Sequence, residues 1–239
     1  MWRQLAVNKI FGIGLPKTGS RSLAEFLSRL GYNTIHDGSM ISPSFGALEP
    51  EPIMAEKKEE GRFYSTLSLN EELGEEWDCL INRYQSYYDF FDEAYPDSKF
   101  ILTTRPFEDW YRSFAYHLNR HHQRDLLRPS GERGSFSFKP LSSEVYFFDL
   151  FGVVSFCQLV DPKFREYLER RTRRHSFQIE QYFNAKYGED VSSHLLLLDV
   201  TLSNKEKADK VLSFLDRDDD ASYPHFFMNT TPREKDYTP

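Results

Sequence analysis

The sequence predicts an α/β fold built around a parallel sheet. Three observations predict it. The first 36 residues read strand, turn, helix, strand. The apolar stretch Lys99–Thr104 is followed directly by a helical segment. A second apolar stretch, Leu195–Asp199, is followed by another. Strands alternating with helices are the signature of βαβ units. At 239 residues the chain can form one such domain with its own core, and residues 1–239 are read as a single domain.

Taken in order, Lys9–Gly14 is a short apolar run ending in glycine, as in a buried strand. Leu23, Phe26, Leu27 and Leu30 then recur at helical spacing, with Gly31 as a stop. Tyr32–His36 is the second strand. Residues Pro43 to Arg62, rich in Pro, Gly, Glu and Lys, read as an excursion or loop. Asp78–Ile81 reads as a short strand, and Tyr84–Tyr95 as a helix ended by Pro96-Asp97. Lys99–Thr104 is a clear strand, with a helix from Phe107 to Asn119. Arg120 to Pro140 has little periodicity and reads as a loop. Helices are expected at about Ser142–Gln158 and Pro162–Lys186. Leu-Leu-Leu-Leu-Asp at 195–199 is expected in the middle of the sheet, because central parallel strands are apolar on both faces. Lys205–Leu215 is a closing helix, and the polar tail from Asp216 shows no clear element.

Composition narrows the class. Apolar residues make up 39% and charged residues 28%, a globular balance. Aromatics reach 16%, which suits either a core or a pocket of flat rings. The formal net charge is −7, so no basic face for general nucleic-acid binding is expected. An acidic chain that holds a polyanion must gather a few cations locally. Two cysteines, Cys79 and Cys157, make neither a disulfide framework nor a CxxC metal pattern. Met1 to Asn8 lacks a signal-type apolar stretch, and no run approaches the roughly 18 apolar residues of a membrane span. The expectation is a cytoplasmic protein with free thiols and no membrane span. The sequence does not set its oligomeric state.

The first strand-to-helix junction reads Gly14-Leu15-Pro16-Lys17-Thr18-Gly19-Ser20-Arg21-Ser22. Two glycines let the backbone curl so that successive N–H groups point inward. The helix that starts near Ser20 adds uncapped N–H groups and the positive end of its dipole. Lys17 adds a charge; Thr18, Ser20 and Ser22 add hydroxyls. The string differs from a Walker A loop, in which Lys follows the second glycine. Here Lys17 lies two places before Gly19, where it would reach a bridging oxygen rather than terminal phosphates. An ordinary βα turn with an exposed lysine is the alternative reading of the same residues.

A second anion contact is legible after Lys99–Thr104. Arg105 stands at the strand's end, the ligand edge of an open α/β sheet, and Ser113 lies on the helix that follows. Arginine grips phosphate bidentately and serine can add one more bond. The competing reading pairs Arg105 with Glu108 or Asp109 on the surface. Two anion sites after two parallel strands suit a nucleotide phosphorylated at both its 5′ and 3′ positions. ATP needs only one.

These residues resemble the sulfotransferase superfamily. Gly14–Ser22 is similar to its 5′-phosphosulfate loop, and Arg105 to Ser113 to its 3′-phosphate motif. Ala94-Tyr95-Pro96-Asp97-Ser98-Lys99, Trp110-Tyr111-Arg112-Ser113, Leu198-Asp199-Val200-Thr201 and Tyr223-Pro224-His225 resemble a small soluble branch of it. The likeness covers most of the chain and is weakest between 37 and 75. It implies a doubly wound, mainly parallel sheet flanked by helices, of the P-loop type. It also implies 3′-phosphoadenosine 5′-phosphosulfate (PAPS) as the donor, and a hydroxyl or amine of a small molecule or carbohydrate as acceptor. Two departures stand out. Pro106-Phe107 replaces the Asp-Pro or Asn-Pro usual after the arginine. Ile81 and Asn82 occupy the strand end where the branch often carries an aspartate resembling a general base.

Transfer needs a group to hold charge on the bridging oxygen, and Lys17 with the loop N–H groups fits that role. It also needs a base within hydrogen-bond reach of the acceptor. His36 is the first candidate, because it ends the second strand and titrates near neutrality. Asp37 and Asp78 are alternatives. No metal is required. His117 and His121 are four apart but lack a third ligand. Arg120, His121, His122, Arg124, Arg128 and Arg133 form either a basic loop over the acceptor or a solvated charged segment. Two other functions use the same loop: a nucleotide kinase or NTPase with Mg²⁺ held near Asp199, and a non-catalytic nucleotide-binding homologue that lost its base at Asn82.

Overall fold

The computed structural model describes residues 9–36, 39–41, 56–59, 62–65, 77–82, 85–126 and 161–224. Its strands are β1 (Ile10–Gly12), β2 (Thr34–His36), β3 (Ser39–Ile41), β4 (Glu56–Glu59), β5 (Arg62–Ser65), β6 (Cys79–Ile81), β7 (Lys99–Thr104) and β8 (Leu195–Asp199). The helices are α1 (Ser20–Arg29), α2 (Tyr88–Ala94), α3 (Phe107–Leu126), α4 (Pro162–Tyr187), α5 (Val191–His194) and α6 (Asn204–Phe214). The main sheet runs β3-β2-β6-β1-β7-β8. Its five strands from β2 to β8 are parallel, and β3 pairs antiparallel with β2 at one edge. β4 and β5 form a separate antiparallel pair, so strand structure lies within the stretch expected as loop.

Alternation along the strands sorts the core into two layers. Ile10, Cys79, Ile81, Ile101 and Leu198 meet Leu23, Phe26 and Leu27 of α1 and Val211 and Leu212 of α6. On the opposite face Phe11, Leu80, Phe100 and Leu102 meet Phe91 of α2 and Ile179 and Phe183 of α4. Helices on both faces make the sheet doubly wound, as expected. Among the described residues, many aromatics serve the core. The Phe11 ring stacks on Phe91 at 4.6 Å and on Phe100 at 5.1 Å, with Trp77 edge-on at 5.9 Å. Burying each such ring contributes about 2–3 kcal/mol.

Local chemistry sets the helix ends. Gly31 takes φ +93 just after α1, a conformation with little penalty only for glycine. Asp161 caps α4 by accepting the Lys163 N–H, with Pro162 in the first turn. Ser203 and Glu206 form a reciprocal capping box on α6.

Several expectations need correction. Among the described strands, β8 lies at the edge of the sheet and not in its middle. Leu195 and Leu198 are buried while Leu197 is 44% exposed. Four leucines signal apolar contact but carry no information about how many strands lie alongside. The segment before α2 is a 3-10 turn, Gln85–Tyr87. α3 continues to Leu126, into the stretch expected as loop from Arg120. Residues 127–140 and the helix expected at 142–158 lie outside the described residues. Cys79 is a buried free thiol, and no helix among the described residues is long and apolar enough to cross a membrane.

Candidate active site

The parallel strands end along one edge, and the register fixes who stands there. Gly12 lies beside Ile81 and Ile101, and His36 beside Ile81. The edge therefore presents, in spatial order, His36, Asn82, the loop 14–19 and Arg105. The chain leaves β1 for β2 on one side, while β7 lies on the other. Ligands of open α/β sheets bind at such a switch point.

The loop's path is set by contacts no other residue would permit. A Cβ on Gly14 would stand 1.9 Å from Thr103 Oγ1 and 2.6 Å from the Thr103 carbonyl oxygen. Lys17 and Gly19 both adopt left-handed backbone, φ +73 and +86, which folds the loop over on itself. Thr18 N–H donates to the Leu15 carbonyl at 3.2 Å, and the Thr18 hydroxyl donates to that same oxygen. Thr18 Oγ1 also lies 2.7 Å from Thr103 Oγ1, tying the loop to β7.

α1 then starts at Gly19 with no side-chain cap and no acidic residue in its first turn. No side-chain cap and no acid offsets the positive dipole end there, which fits an anion at this position. Arg105 is half-buried, and its Nη1 donates to the Lys17 carbonyl at 3.2 Å. Burial pushes the Arg105 pKa down, offset in part by Asp109, and its guanidinium stays charged. Arg105 and the loop thus stand side by side at one sheet edge. Of the partners in the competing reading, Glu108 bonds instead to Arg165 of α4, while Asp109 lies close enough to act electrostatically on Arg105.

The remaining predicted residues sort by burial. Pro16, Thr18 and Ser20 are buried, Lys17 and Ser22 half-buried, and Arg21 exposed. Ser113 is buried on α3, the helix that also carries Trp110. His36 Nε2 lies 3.2 Å from Ser20 Oγ, so the candidate base touches the first residue of α1. Asp37 is outside the described residues. Asp78 precedes β6, at the end of the sheet opposite His36, and its carboxylate accepts the Asn33 N–H at 2.8 Å. It stands at the far end of the sheet from His36 and cannot serve the same acceptor, because β2 and β6 run parallel. Asn82 is buried with φ +60, and Gln85 Nε2 donates to its Oδ1 at 2.9 Å. Asp199 Oδ1 accepts from the Thr201 N–H and hydroxyl, a turn-capping role. No metal-type cluster occurs among the described residues.

Two side chains that sequence reasoning left without a role hold the loop from outside. Trp110 Nε1 donates to the Pro16 carbonyl at 2.8 Å. His175, buried on α4, lies with Nε2 3.1 Å from the Ile13 carbonyl. Trp110 could have been found by its place one helical turn before Ser113. His175 sits in a run of arginines, far along the chain, with no local signal.

With this geometry in view, the comparison with known families is decisive: the sulfotransferase domain model matches residues 9–218, and the chain belongs to that family. The family is one of transferases that move a sulfuryl group. No curated protein matches the chain as an individual relative.

Proposed function

We propose that the protein transfers a sulfuryl group from PAPS to a hydroxyl or amine of a small molecule or carbohydrate. The observation that carries this reading is the Arg105–Lys17 contact, which joins the two anion-binding elements at one sheet edge. The donor set fits: an uncapped helix start, a charged loop lysine and a partly desolvated arginine, with no competing acid in the first turn of α1.

When bound, PAPS supplies the sulfuryl group and the phosphate leaving group. Gly14 to Ser22 hold the 5′ end through backbone N–H groups and hydroxyls. Arg105 and Ser113 hold the 3′-phosphate. Lys17 stabilises the negative charge that builds on the bridging oxygen, the kind of preorganised contact that supplies much of a rate enhancement. His36 receives the acceptor's proton.

A second reading has one observation behind it. The strand end beside His36 carries the neutral pair Asn82 and Gln85, neither of which can take a proton. A nucleotide-binding homologue without transfer activity would look the same there. One experiment separates the readings. Calorimetry should show adenosine 3′,5′-bisphosphate binding without metal, and tighter than ATP with Mg²⁺. Sulfuryl transfer from labelled PAPS across a panel of phenols, alcohols, amines and sugars should then give product. Binding without product favours the non-catalytic reading; preference for ATP with Mg²⁺ refutes both.

A further inference from the structure

Three carbonyls around the candidate loop are each held by a side chain from a different element. His175 of α4 meets the Ile13 oxygen at 3.1 Å. Trp110 of α3 meets the Pro16 oxygen at 2.8 Å, and Arg105, after β7, meets the Lys17 oxygen at 3.2 Å. A peptide unit is planar and trans, so its carbonyl and the N–H of the next residue point in opposite directions. Fixing the Ile13 oxygen toward α4 therefore fixes the Gly14 N–H away from α4. Fixing the Pro16 oxygen does the same for the Lys17 N–H. The loop's donors are aimed by what grips its acceptors.

His175, like Trp110, has no other part in the nucleotide reading, and it comes from the element most distant in sequence. It is 6% exposed and lies 162 residues from Ile13 in sequence. Ile13 immediately precedes Gly14, whose own position is fixed by contact with Thr103. The imidazole is held neutral, with its pKa pushed down to about 4 by burial and by the nearby Arg171, against the opposing pull of the Ile13 carbonyl. A neutral imidazole has a single N–H. The carbonyl can only accept, so the proton is on Nε2.

We propose that His175 is a positioning residue for the phosphosulfate loop: its Nε2–H, donated to the Ile13 carbonyl, orients the Gly14 N–H toward the bound anion. The proposal rests on the nucleotide reading given above, and it makes α4 part of the site although no α4 residue need touch the ligand.

The test compares His175→Gln, whose amide can place an N–H near the Nε2 position, with His175→Phe, which fills the space without a donor. Circular dichroism and thermal melts establish that each variant is folded. The readout is the Kd for adenosine 3′,5′-bisphosphate. We expect His175→Gln within about threefold of wild type and His175→Phe weaker by roughly fivefold to thirtyfold, the loss of about one hydrogen bond's directing effect. A merely structural histidine would lower the melting temperature of both variants and leave the Kd of the folded protein unchanged, and that result overturns the proposal. If His175→Phe does not fold, His175→Asn, too short to reach Ile13, gives the same comparison. If wild-type protein binds no adenosine bisphosphate, the nucleotide reading fails by itself. Inorganic pyrophosphate, which needs only the loop, then replaces it as the probe, and equal affinity in the Gln and Phe variants overturns the role of His175.

Discussion

The indole N–H of Trp110 reaches the carbonyl oxygen of Pro16 at 2.8 Å, across 94 positions of chain. Trp110 is 2% exposed and stacks on Phe114 at 4.8 Å, so the donor is fixed by packing before it meets the loop. Trp110→Phe keeps an aromatic ring and removes the donor, leaving a buried carbonyl unpaired. The expected cost is about 2 kcal/mol of stability, together with weaker nucleotide binding. Urea unfolding and calorimetry check both, and an unchanged Kd would detach this contact from the site.

Lys17 and Arg105 should fail in different ways. Lys17→Ala is expected to cut transfer by roughly 10²–10³, the scale of losing one preorganised transition-state contact. Arg105→Ala should mainly weaken adenosine 3′,5′-bisphosphate, by roughly tenfold to a hundredfold, as expected for a charge-assisted bond. Steady-state kinetics with a binding isotherm for each variant makes the distinction. Wild-type behaviour in both variants would remove the site assignment. His36→Ala with undiminished turnover would remove only the base.

Two glycines allow a matched test of the loop's geometry. Gly14→Ala puts a methyl group into Thr103, partly into its backbone, which cannot swing aside. Loss of about 3 kcal/mol or failure to fold is expected. Gly31→Ala meets nothing within 4 Å and is strained only by φ +93, so about 1 kcal/mol should be lost. Equilibrium unfolding of the pair reads the difference, and similar losses would contradict the close approach of the loop to β7.

Stability should depend on pH through His175. Its folded pKa, about 4, lies below the ordinary value of 6.5. Between these values the unfolded chain binds the extra proton, so unfolding becomes easier as pH falls. The contribution is fully present above about pH 6.5, is lost progressively down to pH 4, and amounts to about 3 kcal/mol. The difference between wild type and His175→Gln, measured by urea unfolding at pH 7 and pH 4.5, isolates it from the titrating carboxylates. A difference that does not vary with pH would show that His175 is not buried neutral.

The candidate loop was legible because the residue types that suggest an anion site are local, although its close approach to Thr103 is not. Gly14, Lys17, Gly19 and the uncapped start of α1 lie within a few residues of one another, and their chemistry follows from residue type and order. Arg105 was legible for the same reason, standing at the end of an unmistakable strand. The candidate base was less so. His36 and Asp78 both flank short strands, and only the parallel direction of β2 and β6 puts them at opposite ends of the sheet. β8 misled because apolar content reports contact and not strand order.

The sequence by itself determined the α/β alternation and the family these residues resemble, and it pointed to the glycine-bearing turn and to the arginine after the later strand as candidates. Tertiary structure alone decided which strands adjoin, which candidate base shares an edge with the loop, and that Trp110 and His175 grip its carbonyls. The physical reason is range. Propensity, capping and glycine conformations act over a few neighbouring residues, whereas the bond from His175 to Ile13 joins positions 162 residues apart and exists only once α4 packs on the sheet.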